Sequence, residues 1–122
     1  MSLAEARVQE IERNFAHLVH DVIVLSLTDE TFRLILTLHD GSTLRVTERW
    51  RNQTLFRYSY YWLAGNASLR IGWDNVPHHG ELENFPHHKH IGEEGRRVAS
   101  YETSLEDVMA FIAREMEGKN ER

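Results

Sequence analysis

The stretch TFRLILTLHDGSTLRVTERW, which spans residues 31–50, decides the fold of this chain. Apolar and polar side chains alternate on both sides of Asp40-Gly41, and a period of two is typical of a half-buried strand. Asp-Gly between two alternating runs is a strong signal for a β-hairpin. We therefore predict two antiparallel strands, roughly Thr31–His39 and Thr43–Trp50.

The same alternation extends in both directions and predicts three further strands. They cover roughly Val22–Thr28, Leu55–Leu63 and Leu69–Asp74, and the turn residues Asp29-Glu30, Arg51-Asn52 and Gly65-Asn66 separate them. Because short connections force neighbouring strands to be antiparallel, residues 22–74 predict a five-stranded antiparallel meander.

A helix is predicted at each end of the chain, at about residues 3–18 and 104–117. Each has an apolar stripe at helical spacing: Ala4, Val8, Ile11, Phe15 and Leu18 in the first, and Leu105, Val108, Met109, Ile112, Ala113 and Met116 in the second. A long polar, histidine-rich loop at about residues 75–102 precedes the second helix, with Arg97–Tyr101 as a further candidate strand. The expected fold is a single α+β domain over residues 1–122, with the helices packed on one sheet face.

The other sheet face is predicted to be basic. Between Thr31 and Trp73 the chain carries Arg33, Arg45, Arg49, Arg51, Arg57 and Arg70 against Asp40 and Glu48, although the whole protein has a net charge of −5. Most of these arginines have the parity opposite to the apolar side chains. Clustered charge of one sign in an acidic protein points to an anion-binding surface, and arginine suits bidentate phosphate contacts.

Composition excludes several classes of protein. The absence of cysteine excludes disulfide scaffolds, thiolate zinc sites, iron–sulfur clusters and cysteine nucleophiles. The longest apolar run near the N-terminus, Val22–Leu25, is far too short to span a membrane, and the first residues carry Glu5 where a signal peptide would be basic. We expect a cytoplasmic protein without membrane association.

Five histidines lie between His78 and His90, in the segments Pro77-His78-His79 and Pro86-His87-His88-Lys89-His90. Three interpretations remain open. His78, His88, His90 and Asp74 could bind a divalent metal ion such as zinc. The histidines could instead perform metal-free acid–base chemistry, since the imidazole titrates near neutrality. They could also serve only structural hydrogen bonds.

The residues Arg70-Ile71-Gly72-Trp73-Asp74-Asn75, together with both proline–histidine segments, resemble the TumE-type toxins of prokaryotic toxin–antitoxin modules. The resemblance extends to the aromatic stretch Tyr58–Trp62 and to the C-terminal helix. It implies a growth-inhibiting toxin encoded beside a helix-turn-helix antitoxin. It also implies a relationship to RelE- and barnase-like ribonucleases, which pack an antiparallel sheet against helices.

The leading hypothesis is a metal-independent endoribonuclease that needs no cofactor. His88 and His90 are the predicted base–acid pair, with His87 beside them, and Arg70 and Lys89 are the predicted phosphate clamps. Further RNA contacts are expected from Arg45, Arg57, Tyr61, His78, His79 and Asp74. The alternatives are a metal-dependent hydrolase and a non-catalytic module that binds RNA or a protein partner. An exposed edge strand would also allow homodimerisation.

Overall fold

The computed structural model describes residues 3–77, 84–92 and 96–120. Helix α1 (Leu3–Asn14) begins the fold and helix α2 (Leu105–Asn120) ends it. Between them lie the strands β1 (Val19–Leu27), β2 (Thr31–Leu38), β3 (Thr43–Arg51), β4 (Thr54–Leu63), β5 (Leu69–Asp74), β6 (His88–Ile91) and β7 (Arg96–Ala99). The predicted α+β class, with one helix at each end, is confirmed.

The strands form one antiparallel sheet in chain order, and it has seven strands rather than five. The prediction of five strands was wrong because β6 and β7 lie inside the segment predicted as a loop, residues 75–102. Strand β6 has only four residues, and histidine and lysine occupy three of them, so it has no apolar alternation to detect. The candidate strand Arg97–Tyr101 overlaps β7 but begins one residue later.

Both helix boundaries also differ from the prediction. The first helix ends at Asn14 rather than near residue 18, because the carbonyl oxygen of Phe15 accepts hydrogen bonds from the backbone amides of Leu18 and Val19 and turns the chain into β1. The second helix continues to Asn120 rather than 117, since Gly118 does not stop it.

Two tight turns set the register of the central strands. Gly41 has a φ of +88° in the β2–β3 turn, where the Asp40 carboxylate accepts a hydrogen bond from the Ser42 amide. Asn52 and Gln53 both have positive φ between β3 and β4, as a two-residue hairpin turn of right-handed twist requires. The pairs Leu34–Val46 and Val46–Tyr60 follow, so apolar side chains of neighbouring strands lie on one face.

Both helices pack on that face, which we call the helix-covered face. Its buried strand residues are Phe32, Leu34, Leu36, Leu38, Leu44, Val46, Tyr58, Tyr60, Trp62 and Trp73. Ile11 of α1 and Leu105, Val108, Met109 and Ile112 of α2 are buried against the same core. Trp73 meets the ring of Phe111 edge-on, with ring centroids 5.6 Å apart. Hydrophobic burial therefore stabilises one side of the sheet.

A buried ion pair interrupts this apolar face. Glu48 has the parity of Leu44 and Val46, yet its carboxylate is buried and accepts two hydrogen bonds from Arg7 of α1, at 3.1 and 3.0 Å. Tyr60 donates a hydrogen bond of 2.6 Å to the same carboxylate, and Arg7 also binds Glu106 of α2. Burial disfavours the guanidinium charge, but the two carboxylates outweigh it and raise the pKa of Arg7 above its ordinary value. The pair therefore joins both helices to the sheet.

We expect Glu48→Gln to lower the free energy of unfolding by about 3–5 kcal/mol, because it leaves the buried Arg7 charge without its main partner. Urea denaturation followed by circular dichroism measures this change. Glu12→Gln, at an exposed position of α1, is the matched control and should change stability by no more than about 0.5 kcal/mol. Equal stability of the two variants would show that the buried pair is not required.

Candidate functional site

The sheet face opposite the helices is named here the arginine face. Directly paired residues of neighbouring strands share a face, and the strand registers place one row of side chains across it. That row runs from β3 to β7 as Arg45, Tyr61, Gly72, His90 and Arg97. The adjacent row contains Arg33, Thr47, Ser59, Asp74 and His88.

Asp74, His88 and His90 meet where these two rows adjoin, and we call them the Asp74 cluster. Oδ1 of Asp74 lies 2.9 Å from Nε2 of His88, and Oδ2 lies 3.3 Å from Nε2 of His90. The two imidazole rings are 5.0 Å apart and nearly perpendicular. The pairing of β6 with β5 is the cause, since it sets His88 opposite Asp74 and His90 opposite Gly72.

The members of the cluster differ in exposure. His88 and Asp74 are buried, whereas the side chain of His90 is 18% exposed. Nδ1 of His88 lies 3.0 Å from the carbonyl oxygen of Pro86. Because a carbonyl oxygen only accepts hydrogen bonds, this contact places a hydrogen on Nδ1 and turns Nε2 toward Asp74. His90 is thus the cluster's accessible imidazole.

Tyr61 lies directly over the backbone of Gly72. A Cβ atom at position 72 would come within 2.4 Å of the Tyr61 ring, so only glycine allows this contact. The ring is 37% exposed and lies between Arg45 and His90 in the row. An exposed aromatic ring beside cationic side chains is suited to stacking with a nucleic acid base.

Arginines border this ring on several sides. A shallow cavity of about 230 Å³ on β1–β4 is lined by Arg33, Arg45, Ser59 and Tyr61 among others. The guanidinium of Arg57 donates a hydrogen bond of 2.8 Å to the carbonyl oxygen of Asn75, which connects β4 to the segment after β5. Of the predicted RNA contacts, the structure brings Arg45, Arg57, Tyr61 and Asp74 to the same face as His88 and His90.

The two predicted phosphate clamps, Lys89 and Arg70, do not lie beside the Asp74 cluster. Nζ of Lys89 donates a hydrogen bond of 2.9 Å to Glu102 and lies 5.2 Å from the centre of the Phe111 ring, on the helix-covered face. Burial raises the pKa of Glu102, but hydrogen bonds from Lys89 and Trp73 outweigh it, so the pKa is lowered. Lys89 therefore lies on the opposite side of β6 from the Asp74 cluster.

Arg70 is separated from the cluster by a bulge. The register between β4 and β5 shifts between Trp62 and Leu63, which leaves Arg70 without a directly opposite residue. Its guanidinium lies 4.7 Å from the centre of the Trp62 ring and 3.7 Å from Asp40. Strict alternation placed Arg70 with Gly72 and Asp74, and the bulge changes its direction.

His87 belongs to the helix-covered face. Its Nδ1 lies 2.9 Å from the hydroxyl of Tyr58, and the two rings are stacked at 5.8 Å. Burial and the nearby charge of His88 lower the pKa of His87. Burial also raises the pKa of Tyr58, and the negative charges of nearby carboxylates raise it further to a smaller extent. The predicted RNA contacts His78 and His79 lie outside the described residues.

Most of the chain matches one known protein family. The family model described as Toxin TumE matches residues 7–116, which is most of the chain. The protein belongs to the TumE toxin family. The matched range includes every strand and the whole Asp74 cluster. No curated protein and no solved structure matches the sequence.

Membership of the TumE family confirms the resemblance inferred from the sequence and implies an antitoxin partner. Among the described residues, neither helix has the length and apolar character needed to cross a membrane.

Gly72 and Arg97 were not predicted as site residues, and Arg33 was predicted only as part of the basic face. The positions of Arg33 and Gly72 on this face follow from their parity, because each alternates with apolar residues. Arg97 was not, since its position depends on the pairing of β7 with β6.

We expect Gly72→Ala to lower the free energy of unfolding by about 1–3 kcal/mol, because the added methyl group overlaps the Tyr61 ring. In a double-mutant cycle with Tyr61→Ala, most of this loss should disappear, since the ring is then absent. Gly65→Ala is the control, as its added Cβ meets only an ordinary contact at 3.7 Å. An equal loss with and without Tyr61 would contradict the proposed contact.

Proposed function

We propose that this TumE family toxin is an endoribonuclease that binds single-stranded RNA on the arginine face and cleaves it at His90. The observation that carries the proposal is the row that places His90 between Tyr61 and Arg97, with the carboxylate of Asp74 3.3 Å from its Nε2. A proton-transfer group, a stacking ring and guanidinium groups are thus adjacent on one accessible surface.

Binding is assigned to the arginines and to Tyr61. Arg33, Arg45 and Arg97 are exposed on the arginine face and would contact phosphate oxygens. The Tyr61 ring would stack against an unpaired base, the mode by which single-stranded RNA is commonly recognised. The face holds these cations although the protein as a whole is acidic.

Cleavage is assigned to His90 rather than to a pair of equivalent histidines. Its side chain is partly exposed, whereas His88 is buried and has the role of positioning Asp74. Nδ1 of His90 would accept the proton of the RNA 2′-hydroxyl, and Asp74 would stabilise the resulting imidazolium. The 2′-oxygen attacks phosphorus, the bond to the 5′-oxygen breaks, and the imidazolium returns the proton to that oxygen. The products are a 2′,3′-cyclic phosphate and a 5′-hydroxyl.

The arginine face also supports an assignment for the antitoxin partner. We propose a helix-turn-helix antitoxin whose acidic segment covers the arginines and so competes with RNA. The toxin would act in the cytoplasm, where its RNA substrates are. Homodimerisation through β1 is supported by its position at the sheet edge and by the exposure of Ile23, Val24 and Leu25.

Cleavage of a fluorescent single-stranded RNA by protein dialysed against chelator tests this proposal. We expect His90→Gln to reduce the cleavage rate by at least about 100-fold, since general acid–base groups contribute about 10²–10⁴-fold. His17→Gln, at an exposed position between α1 and β1, is the matched control and should keep full activity. Mass spectrometry of the products should show the cyclic phosphate.

Arginine variants separate binding from chemistry. Arg45→Gln should weaken RNA binding and reduce its dependence on salt, without changing the cleavage products. Full activity of His90→Gln would overturn the catalytic assignment. Salt-dependent binding without any cleavage by the wild type would show that the protein is an RNA-binding module instead.

A further inference from the structure

The Asp74 cluster has the composition and spacing of a metal site. One ligand atom from each of Asp74, His88 and His90 lies within 4.8 Å of the others, and the nitrogen–oxygen distances are 2.9 and 3.3 Å. Ligand atoms of a tetrahedral zinc ion, at about 2.0–2.1 Å from the metal, are about 3.3 Å apart. Small side-chain movements would therefore bring the three atoms to ligand positions.

The hydrogen-bonding state of His88 favours a cation at this position. Its Nδ1 carries a hydrogen that points to the Pro86 carbonyl oxygen, and its Nε2 faces the Asp74 carboxylate at 2.9 Å. In a neutral ring Nε2 has a lone pair, which would repel the carboxylate oxygen at this distance. A metal ion between the two atoms would remove this repulsion.

The surroundings also match those of a metal ligand. Histidines that bind metals commonly donate their second ring hydrogen to a backbone carbonyl, as His88 does to Pro86. The Asp74 side chain is 6% exposed, and buried charges in proteins are paired or coordinate metals. Two imidazoles and one carboxylate form a donor set that suits zinc, with the fourth position left to water.

We propose that Asp74, His88 and His90 bind one divalent transition-metal ion such as Zn²⁺, and that the bound ion inhibits the toxin. The inhibitory part rests on the proposed function of His90. A metal ion on Nε2 of His90 leaves Nδ1 with the ring's hydrogen, so Nδ1 cannot accept the proton of the 2′-hydroxyl. The same ion removes the Asp74 carboxylate from its contact with the imidazole, so the histidine loses its stabilising partner.

Isothermal titration calorimetry of chelator-treated protein with Zn²⁺ tests the metal site without RNA. We expect one ion per chain, and Co²⁺ in place of Zn²⁺ should give visible absorption bands of a four-coordinate site. His90→Ala and Asp74→Asn should each weaken binding by at least about 10–100-fold, the loss seen even for residues that only support ligands. Circular dichroism shows whether each variant is folded. Replacement of the partly exposed His90 should disturb folding less than replacement of the buried Asp74.

Two histidine variants outside the cluster are the matched controls. His20→Gln removes an exposed ring on β1, which lies 5.6 Å from that of His39 and away from the cluster, and His87→Gln removes a neighbour on the opposite sheet face. Both variants should bind Zn²⁺ as the wild type does. Absence of Zn²⁺ binding by the wild type, or unchanged binding by folded His90→Ala, would overturn the site.

RNA cleavage measured over the same Zn²⁺ range tests the inhibition separately. Loss of cleavage at the concentration at which Zn²⁺ binds would support the proposal. If Zn²⁺ binds but RNA is cleaved neither with nor without it, the metal site would be supported and the proposed function contradicted. Cleavage that requires Zn²⁺ would overturn the inhibitory role.

Discussion

The buried contact between Arg7 and Glu48 joins both helices to one side of the sheet, and the other side stays uncovered. It connects α1 to the middle of β3, and through Glu106 it also connects α2, so both helices pack on the same face. A guanidinium and a carboxylate removed from water are favourable only with good geometry and further hydrogen bonds. Here Tyr60 and Trp50 supply those bonds, and burial together with Glu48 raises the pKa of Tyr60 well above its usual value. The arginines of the other parity are thereby left on the second face.

Strand pairing then determines the position of each side chain on that face. Asp74 and His88 are 14 positions apart in sequence, yet the register of β5 and β6 places them directly opposite each other. The same register places His90 opposite Gly72, over which Tyr61 lies. Alternation also separates neighbours: Lys89, between the two histidines, points to Glu102 on the helix side. Strand pairing, rather than closeness in sequence, therefore selects which histidines and cations act together.

This distinction explains what could be predicted from the sequence. The alternation around Asp40-Gly41 was sufficient for the hairpin of β2 and β3 and for the basic face, because apolar periodicity reports burial directly. The α+β class followed from the two apolar helical stripes. Strand β6 could not be recognised, since histidine and lysine occupy three of its four positions and its pattern contains no apolar alternation. Arg70 has the sequence parity of Gly72 and Asp74, but its side chain does not lie beside theirs. The reason is a bulge, which depends on how β5 pairs with β4. The only sign in the sequence that Glu48 is buried was the presence of an acidic residue at a position of apolar parity.

The carboxylate of Asp74 bears directly on the proposal that the arginine face binds phosphate. It lies in the middle of the arginine face, where an uncompensated negative charge would oppose an RNA backbone. Arg33, Arg45, Arg57 and Arg97 on the same face offset this charge. With a divalent ion the cluster would carry a net positive charge, which would attract phosphate, but the ion would occupy the imidazole that the proposed proton transfer needs. If the proposed function and the proposed metal site are both correct, attraction of RNA and cleavage of RNA depend on the same three side chains in opposite ways, so a metal-bound site would hold RNA without cleaving it.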